Sequence, residues 1–268
     1  MKDLAEVLAS FQICQKVLDR PEVLERVARE VCEDIYAEGT RRVELRYSPA
    51  FVNEFHPALS WEDILLAFEA GIQAASRSRP DFKAGLICIV SRDYGPDGAE
   101  KTVDFFLKNQ NRFVGLDLAG NEQDFPGSLF RSAFQRAKKQ GAKITIHAGE
   151  SAGPDAIWYA IEELGAERIG HGVSAIKDPQ LLETLRQRQV CLEMCPTSNW
   201  LTRVVPSFEA HPLPQVLRAG VPVSINTDDP TLFGTTLPSE TRICVEKMGL
   251  TPSEVALTQA HAQAASFL

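Results

Sequence analysis

Ile144-Thr145-Ile146-His147-Ala148-Gly149-Glu150 decides how the rest of this chain is read. A β-favouring run ends in an imidazole, two small residues and an acid, and a helical pattern follows. The same event recurs twice. Arg168-Ile169-Gly170 runs into His171-Gly172, and Val223-Ser224-Ile225-Asn226-Thr227 runs into Asp228-Asp229-Pro230. In a parallel α/β barrel the C-terminal ends of the strands share one mouth, and catalysis is built there. Three strand ends therefore aim metal-binding and acid/base residue types at one point.

Outward from these segments the pattern is regular. Strands are expected at 42–47, 83–90, 113–118, 142–147, 167–171, 190–194 and 221–227. Helices are expected at 3–18, 21–38, 60–78, 97–109, 127–140, 153–164, 178–188, 213–219, 238–248 and 252–266. Pro21 suits a helix N-terminus and Gly39 a helix end. This alternation predicts an α/β fold of the (β/α)8 TIM-barrel type, with parallel strands and crossover helices in a single domain over residues 1–268. Seven strands are counted where a closed barrel uses eight. The missing one is expected at the front; otherwise the sheet is open.

The 268 residues carry 44% hydrophobic and 24% charged side chains and a formal charge of −8, which suits a folded core but not a phosphate backbone as partner. A small neutral or weakly charged ligand fits better than nucleic acid. No run of about 18 apolar residues suggests a membrane span, and the start, Met1-Lys2-Asp3-Leu4-Ala5-Glu6, does not read as a signal peptide. The cysteines at 14, 32, 88, 191, 195 and 244 form no Cys-x-x-Cys pair. They read as buried, reduced thiols of a cytoplasmic protein. No Gly-x-Gly-x-x-Gly or P-loop points to a nucleotide cofactor. Oligomeric state is not legible.

Each candidate residue has a plain structural reading. His147 and Glu150 could be a hydrogen-bonded imidazole and a helix cap, His171 a buried side chain in a glycine turn, and Asp228-Asp229 a cap for the next turn. Together, at three strand ends, they favour chemistry. Imidazole binds zinc, a carboxyl of raised pKa delivers protons, and two adjacent carboxylates can divide metal binding from substrate binding. A rival reading takes Gly149-Glu150-Ser151-Ala152-Gly153 as the Gly-x-Ser-x-Gly elbow of a serine esterase, with Asp228 and His261 following in order. It leaves His147, His171 and Gly120 unexplained.

The segments His147-Ala148-Gly149-Glu150, Gly170-His171-Gly172 and Ser224-Ile225-Asn226-Thr227-Asp228-Asp229-Pro230 resemble those of the adenosine deaminases. So do Val43-Glu44-Leu45-Arg46-Tyr47-Ser48-Pro49, Leu116-Asp117-Leu118-Ala119-Gly120-Asn121-Glu122 and Cys195-Pro196-Thr197-Ser198-Asn199, in matching order across essentially the whole chain. The resemblance implies an amidohydrolase-type barrel that deaminates a purine nucleoside such as adenosine, with one Zn2+ as cofactor. It implies His147 and Asp228 as metal ligands and Glu150 as the acid that protonates the purine ring. It further implies His171 as the group that orients the attacking hydroxide, and Gly120 and Asp229 as contacts to ring nitrogens.

The chain departs from that pattern in one respect. The family's first strand ends in His-X-His, two further zinc ligands, and this sequence contains no His-X-His. Its other histidines read poorly as ligands: His56 and His211 each precede a proline in a loop, and His261 lies on a helix. The barrel is expected to be incomplete at both ends, lacking its first strand and the end of its last helix. The chain itself is expected to be inactive or weakly active. A remnant that binds a nucleoside or a protein partner without turnover is the alternative.

Overall fold

The computed structural model describes residues 11–268. Seven strands, β1 (Arg42–Tyr47), β2 (Lys83–Ser91), β3 (Gly115–Ala119), β4 (Ile144–Ala148), β5 (Arg168–His171), β6 (Cys191–Met194) and β7 (Val223–Ile225), pair in chain order, all parallel. Parallel neighbours need long crossovers, and helices supply them. Side-chain contacts show the sheet to be curled. Arg46 on β1 donates to Glu193 on β6 at 2.6 Å, although four strands lie between them in the sheet. Only a sheet rolled towards a barrel allows that contact. Among the described residues β1 and β7 do not pair with each other, so the barrel is open along that line.

Strand alternation sorts side chains between two environments. Leu116, Leu118, Ile144, Ile146, Ile169, Leu192 and Val223 join a core with helix residues such as Phe106, Phe134, Ile157, Leu181 and Val216. The polar residues of the same strands, Asp117, Thr145, Arg168 and Glu193, face the inside of the curl and are buried among one another. Arg46 also donates to Asp117 at 3.0 Å. Thr145 donates to Glu193 at 2.9 Å, and Arg168 pairs with Glu193 at 2.9 Å and Glu44 at 2.7 Å. The interior of this sheet is thus an ion-pair network rather than a hydrocarbon layer.

The expected elements are present with small boundary shifts: β1 has the expected bounds, β2 is one residue longer, and β3 to β7 are shorter. The helix expected over 127–140 opens as a 3-10 turn, Gly127–Phe130, before Arg131–Lys139 becomes α-helical. Three short helices were outside the expectation: Pro49–Phe55, Pro196–Leu201 and Pro230–Phe233. Each begins with the proline that follows a strand-end segment, where the missing N–H costs nothing. Of the expected 3–18 helix, residues 1–10 lie outside the described part; 11–16 are helical. Five cysteines are buried as expected, but Cys14 is exposed. No helix among the described residues is long and apolar enough to cross a membrane.

The last residues seal the end of the curl away from the mouth. Glu44 accepts hydrogen bonds from the Phe267 and Leu268 amides, and the Arg168 guanidinium lies 3.6 Å from the Phe267 ring centroid. Gly115 leaves that ring its space: a Cβ there would lie 2.7 Å from it.

Burial would push the Glu193 carboxyl up, but the guanidinium groups of Arg46 and Arg168 outweigh it and hold it at about 2, below its ordinary 4.5. A depressed carboxyl stabilises the fold above its unfolded pKa, and that contribution is lost as pH falls towards 2. Glu193→Gln should therefore cost about 3–5 kcal/mol at pH 7, because it strands two buried guanidinium groups. In urea unfolding, the gap from the unsubstituted chain should narrow as pH falls from 4.5 towards 2.

Candidate active site

His147 projects from β4 inside the curl with both ends of its environment fixed. Its Nδ1 lies 3.1 Å from Asp117, and Arg92 donates to its carbonyl at 2.9 Å. Burial would lower its pKa; the Asp117 carboxylate outweighs that and raises it to about 9. Gly170 leaves room for the ring, since a Cβ there would sit 3.1 Å from Nδ1. With Nδ1 taken by a carboxylate, Nε2 is left for a ligand, the arrangement of a metal-binding imidazole oriented by a carboxylate.

Glu150 sits in the turn after β4. Buried Glu122 accepts the backbone N–H groups of Gly149, Glu150 and Ser151 at 2.8, 3.0 and 3.2 Å, which fixes that turn. The Glu150 carboxylate lies 3.5 Å from His171 Nε2. Burial, with Asp228 adding to it and His171 opposing, raises the Glu150 pKa.

His171 ends β5 with φ 60°, and Asp228 follows β7 with φ 58°. Positive φ in residues other than glycine is uncommon and costly, and it clusters at functional sites. The His171 and His147 ring centroids are 5.1 Å apart, and His171 Nε2 is 3.9 Å from Asp228. Ser198 donates to Asp228 at 2.7 Å. Burial, and then the adjacent Asp228 charge, raise the Asp229 carboxyl well above its ordinary value. Gly120 follows β3 at the same mouth with φ 108°; a Cβ there would run into Asp93. The structure thus gathers His147, Glu150, His171, Asp228 and Asp229, with Gly120 at the same end of the sheet.

The serine-esterase reading fails here. Exposed Ser151 is at the mouth, whereas His261 Nδ1 accepts the N–H of Val223, the first residue of β7, at the opposite end of the sheet. The remaining histidines are held elsewhere: His56 Nε2 is 2.7 Å from the Gln15 carbonyl, and His211 is buried behind His171. In the sequence Ser198 and Asn199 stand out only as part of Cys195-Pro196-Thr197-Ser198-Asn199, and His211 only as a loop histidine poorly suited to a metal. A loop His before a proline has no periodicity to mark it, and only its contacts reveal it.

Two groups suit a zinc ion in kind, His147 through its free Nε2 and Asp228. Among the described residues one trio, His171, Cys195 and Asp228, has donor atoms within 4.8 Å of one another, and burial raises the Cys195 thiol well above its ordinary value, which disfavours the thiolate. Catalytic zinc sites commonly use three protein ligands. The described residues offer two that suit the ion, His147 and Asp228, and so do not by themselves complete a zinc site.

The adenosine deaminase family model matches residues 1–268. This chain belongs to the adenosine deaminase family of hydrolytic deaminases. It is 42% identical over 266 residues to an adenosine deaminase of Yersinia enterocolitica, covering 99% of this chain and 80% of that one. Adenine deaminase from Arthrobacter aurescens superposes with a TM-score of 0.94 at 27% identity, covering 100% of this chain and 81% of that one. An amidohydrolase from Burkhoderia ambifaria, solved with bound Zn, superposes at 0.90 with 25% identity, covering 96% and 73%. These likenesses bear out the barrel-type fold and the family expected from the sequence.

Gly170→Ala should push the His147 ring off Asp117 by a few tenths of an ångström. A loss of about 1–3 kcal/mol of stability is expected, read by denaturant unfolding.

Proposed function

We propose that this chain carries the purine-binding and proton-delivering half of a zinc-dependent nucleoside deaminase, the class that converts adenosine to inosine and ammonia. We further propose that, as written, it holds zinc weakly and turns over slowly or not at all. The observation that carries the reading is the meeting of Glu150, His171 and Asp228, from three strand ends, within 3.5–3.9 Å.

Each group has a role its environment suits. Glu150, whose acid form is favoured by burial and by Asp228, can give a proton to a ring nitrogen and so make the amine-bearing carbon electrophilic. Asp229, whose acid form is likewise favoured, can donate to a second ring nitrogen. The Gly120 backbone can meet the ring edge. His171, with Nε2 facing both acids, can donate to the oxygen nucleophile and steady the charge that develops on it. His147 and Asp228 are the two groups suited to the metal, and the absence of His-X-His from the sequence leaves that ion under-coordinated. Retained purine recognition with little chemistry follows, which is also the non-catalytic nucleoside-binding alternative.

Calorimetry with inosine and a coupled ammonia assay with adenosine and added zinc test this. Nucleoside binding with slow or no ammonia release is expected. One tightly held zinc per chain with rapid deamination would overturn the claim of weak activity, and failure to bind any purine nucleoside would overturn the substrate assignment. Where residual turnover is measurable, Glu150→Gln should lower it about 10²–10⁴-fold while leaving inosine binding intact. Turnover should also fall as pH rises through the elevated Glu150 pKa, because the acid form is the one required.

A further inference from the structure

The buried imidazole of His211 stands at the far end of a hydrogen-bond chain that leads to the site. The backbone N–H of Leu213 donates to His211 Nδ1 at 3.1 Å. His211 Nε2 is 3.1 Å from Asn199 Oδ1, and Asn199 Nδ2 is 3.0 Å from His171 Nδ1. Asn199 is fully buried, and His211 and His171 are nearly so.

Only one end of this chain is chemically fixed, and it fixes the rest. A backbone N–H can donate but never accept. His211 Nδ1 must therefore be the bare nitrogen, which places the His211 proton on Nε2. That proton points at Asn199, so the atom receiving it is the amide oxygen, and the amide NH2 faces His171. His171 Nδ1 must then accept, and its one proton lies on Nε2. We infer that Leu213, His211 and Asn199 form a one-way relay that locks His171 as the neutral Nε2–H tautomer, with that N–H aimed between Glu150 and Asp228. Burial agrees with the neutral His211 the relay needs, pushing its pKa down to about 3.

Two consequences follow. A nitrogen that carries a proton has no lone pair for a metal, so His171 is excluded as a ligand even though its Nε2 falls in the trio with Cys195 and Asp228. His171 acts as a donor, and His211 and Asn199 are positioning residues that never touch the reacting atoms. The tautomer does not depend on the deaminase assignment; the use of the N–H to steady an oxygen nucleophile does rest on it.

The test is nitrogen NMR of the full chain with ¹⁵N-labelled histidine at neutral pH and without metal. His171 should show a protonated Nε2 and a bare Nδ1. His211→Phe removes the donor that orients Asn199, frees the amide to turn, and should move the His171 proton to Nδ1 or leave both tautomers populated. His211→Gln, which keeps one acceptor and one donor, should restore the original pattern. An Nδ1–H or doubly protonated His171 in the unsubstituted chain overturns the inference, and so does an unchanged His171 spectrum in folded His211→Phe. Should that variant not fold, Asn199→Asp serves in its place: a carboxylate facing Nδ1 must draw the proton there. Because the spectra need neither substrate nor turnover, a chain with the stated tautomer that binds no purine nucleoside would count against the proposed function and not against the relay.

Discussion

Arg46 reaches across the inside of the curled sheet to hold Asp117 on one side and Glu193 on the other. Much else depends on that guanidinium. It ties β1 to β3 and β6, which are not its neighbours, and so resists uncurling of a sheet that β1 and β7 do not close. Together with His147 it holds the Asp117 carboxyl below its ordinary range despite burial, and Asp117 in turn sets the orientation of His147. Buried ion pairs contribute little net stability against hydrophobic replacements. Their value here is geometric: partners on β1, β3, β4, β5 and β6 meet in one arrangement.

The mouth above this network works by separating like groups. Asp117 is held ionised, whereas Glu150 and Asp229 are pushed towards the acid form. These three carboxyls lie in one site, and their environments shift them in opposite directions. Such divergence is how a single fold runs acid and base chemistry at neutral pH.

Much of this is legible in the sequence. The strand-helix beat shows because parallel strands covered by helices read as short apolar runs, and the strand-end residues stand out against those runs. The polar interior is harder to see. Asp117 between Leu116 and Leu118, or Glu193 between Leu192 and Met194, reads as an interruption until the partner on a distant strand is known. Pro49, Pro196 and Pro230 announce short helices only once the strand before each has been ended correctly. His211 is invisible for a different reason: its part is set by contacts 12 residues away at Asn199 and, through it, 28 residues further back at His171.

The left-handed backbone at His171 and Asp228 carries a cost that falls on the whole molecule. Each such residue withholds on the order of 1–3 kcal/mol from the folded state, least for an aspartate and more for an imidazole. Glycine would relax both turns, yet glycine brings neither the N–H nor the carboxylate. The mouth therefore holds an imidazole and a carboxylate at backbone angles that glycine would adopt at lower cost.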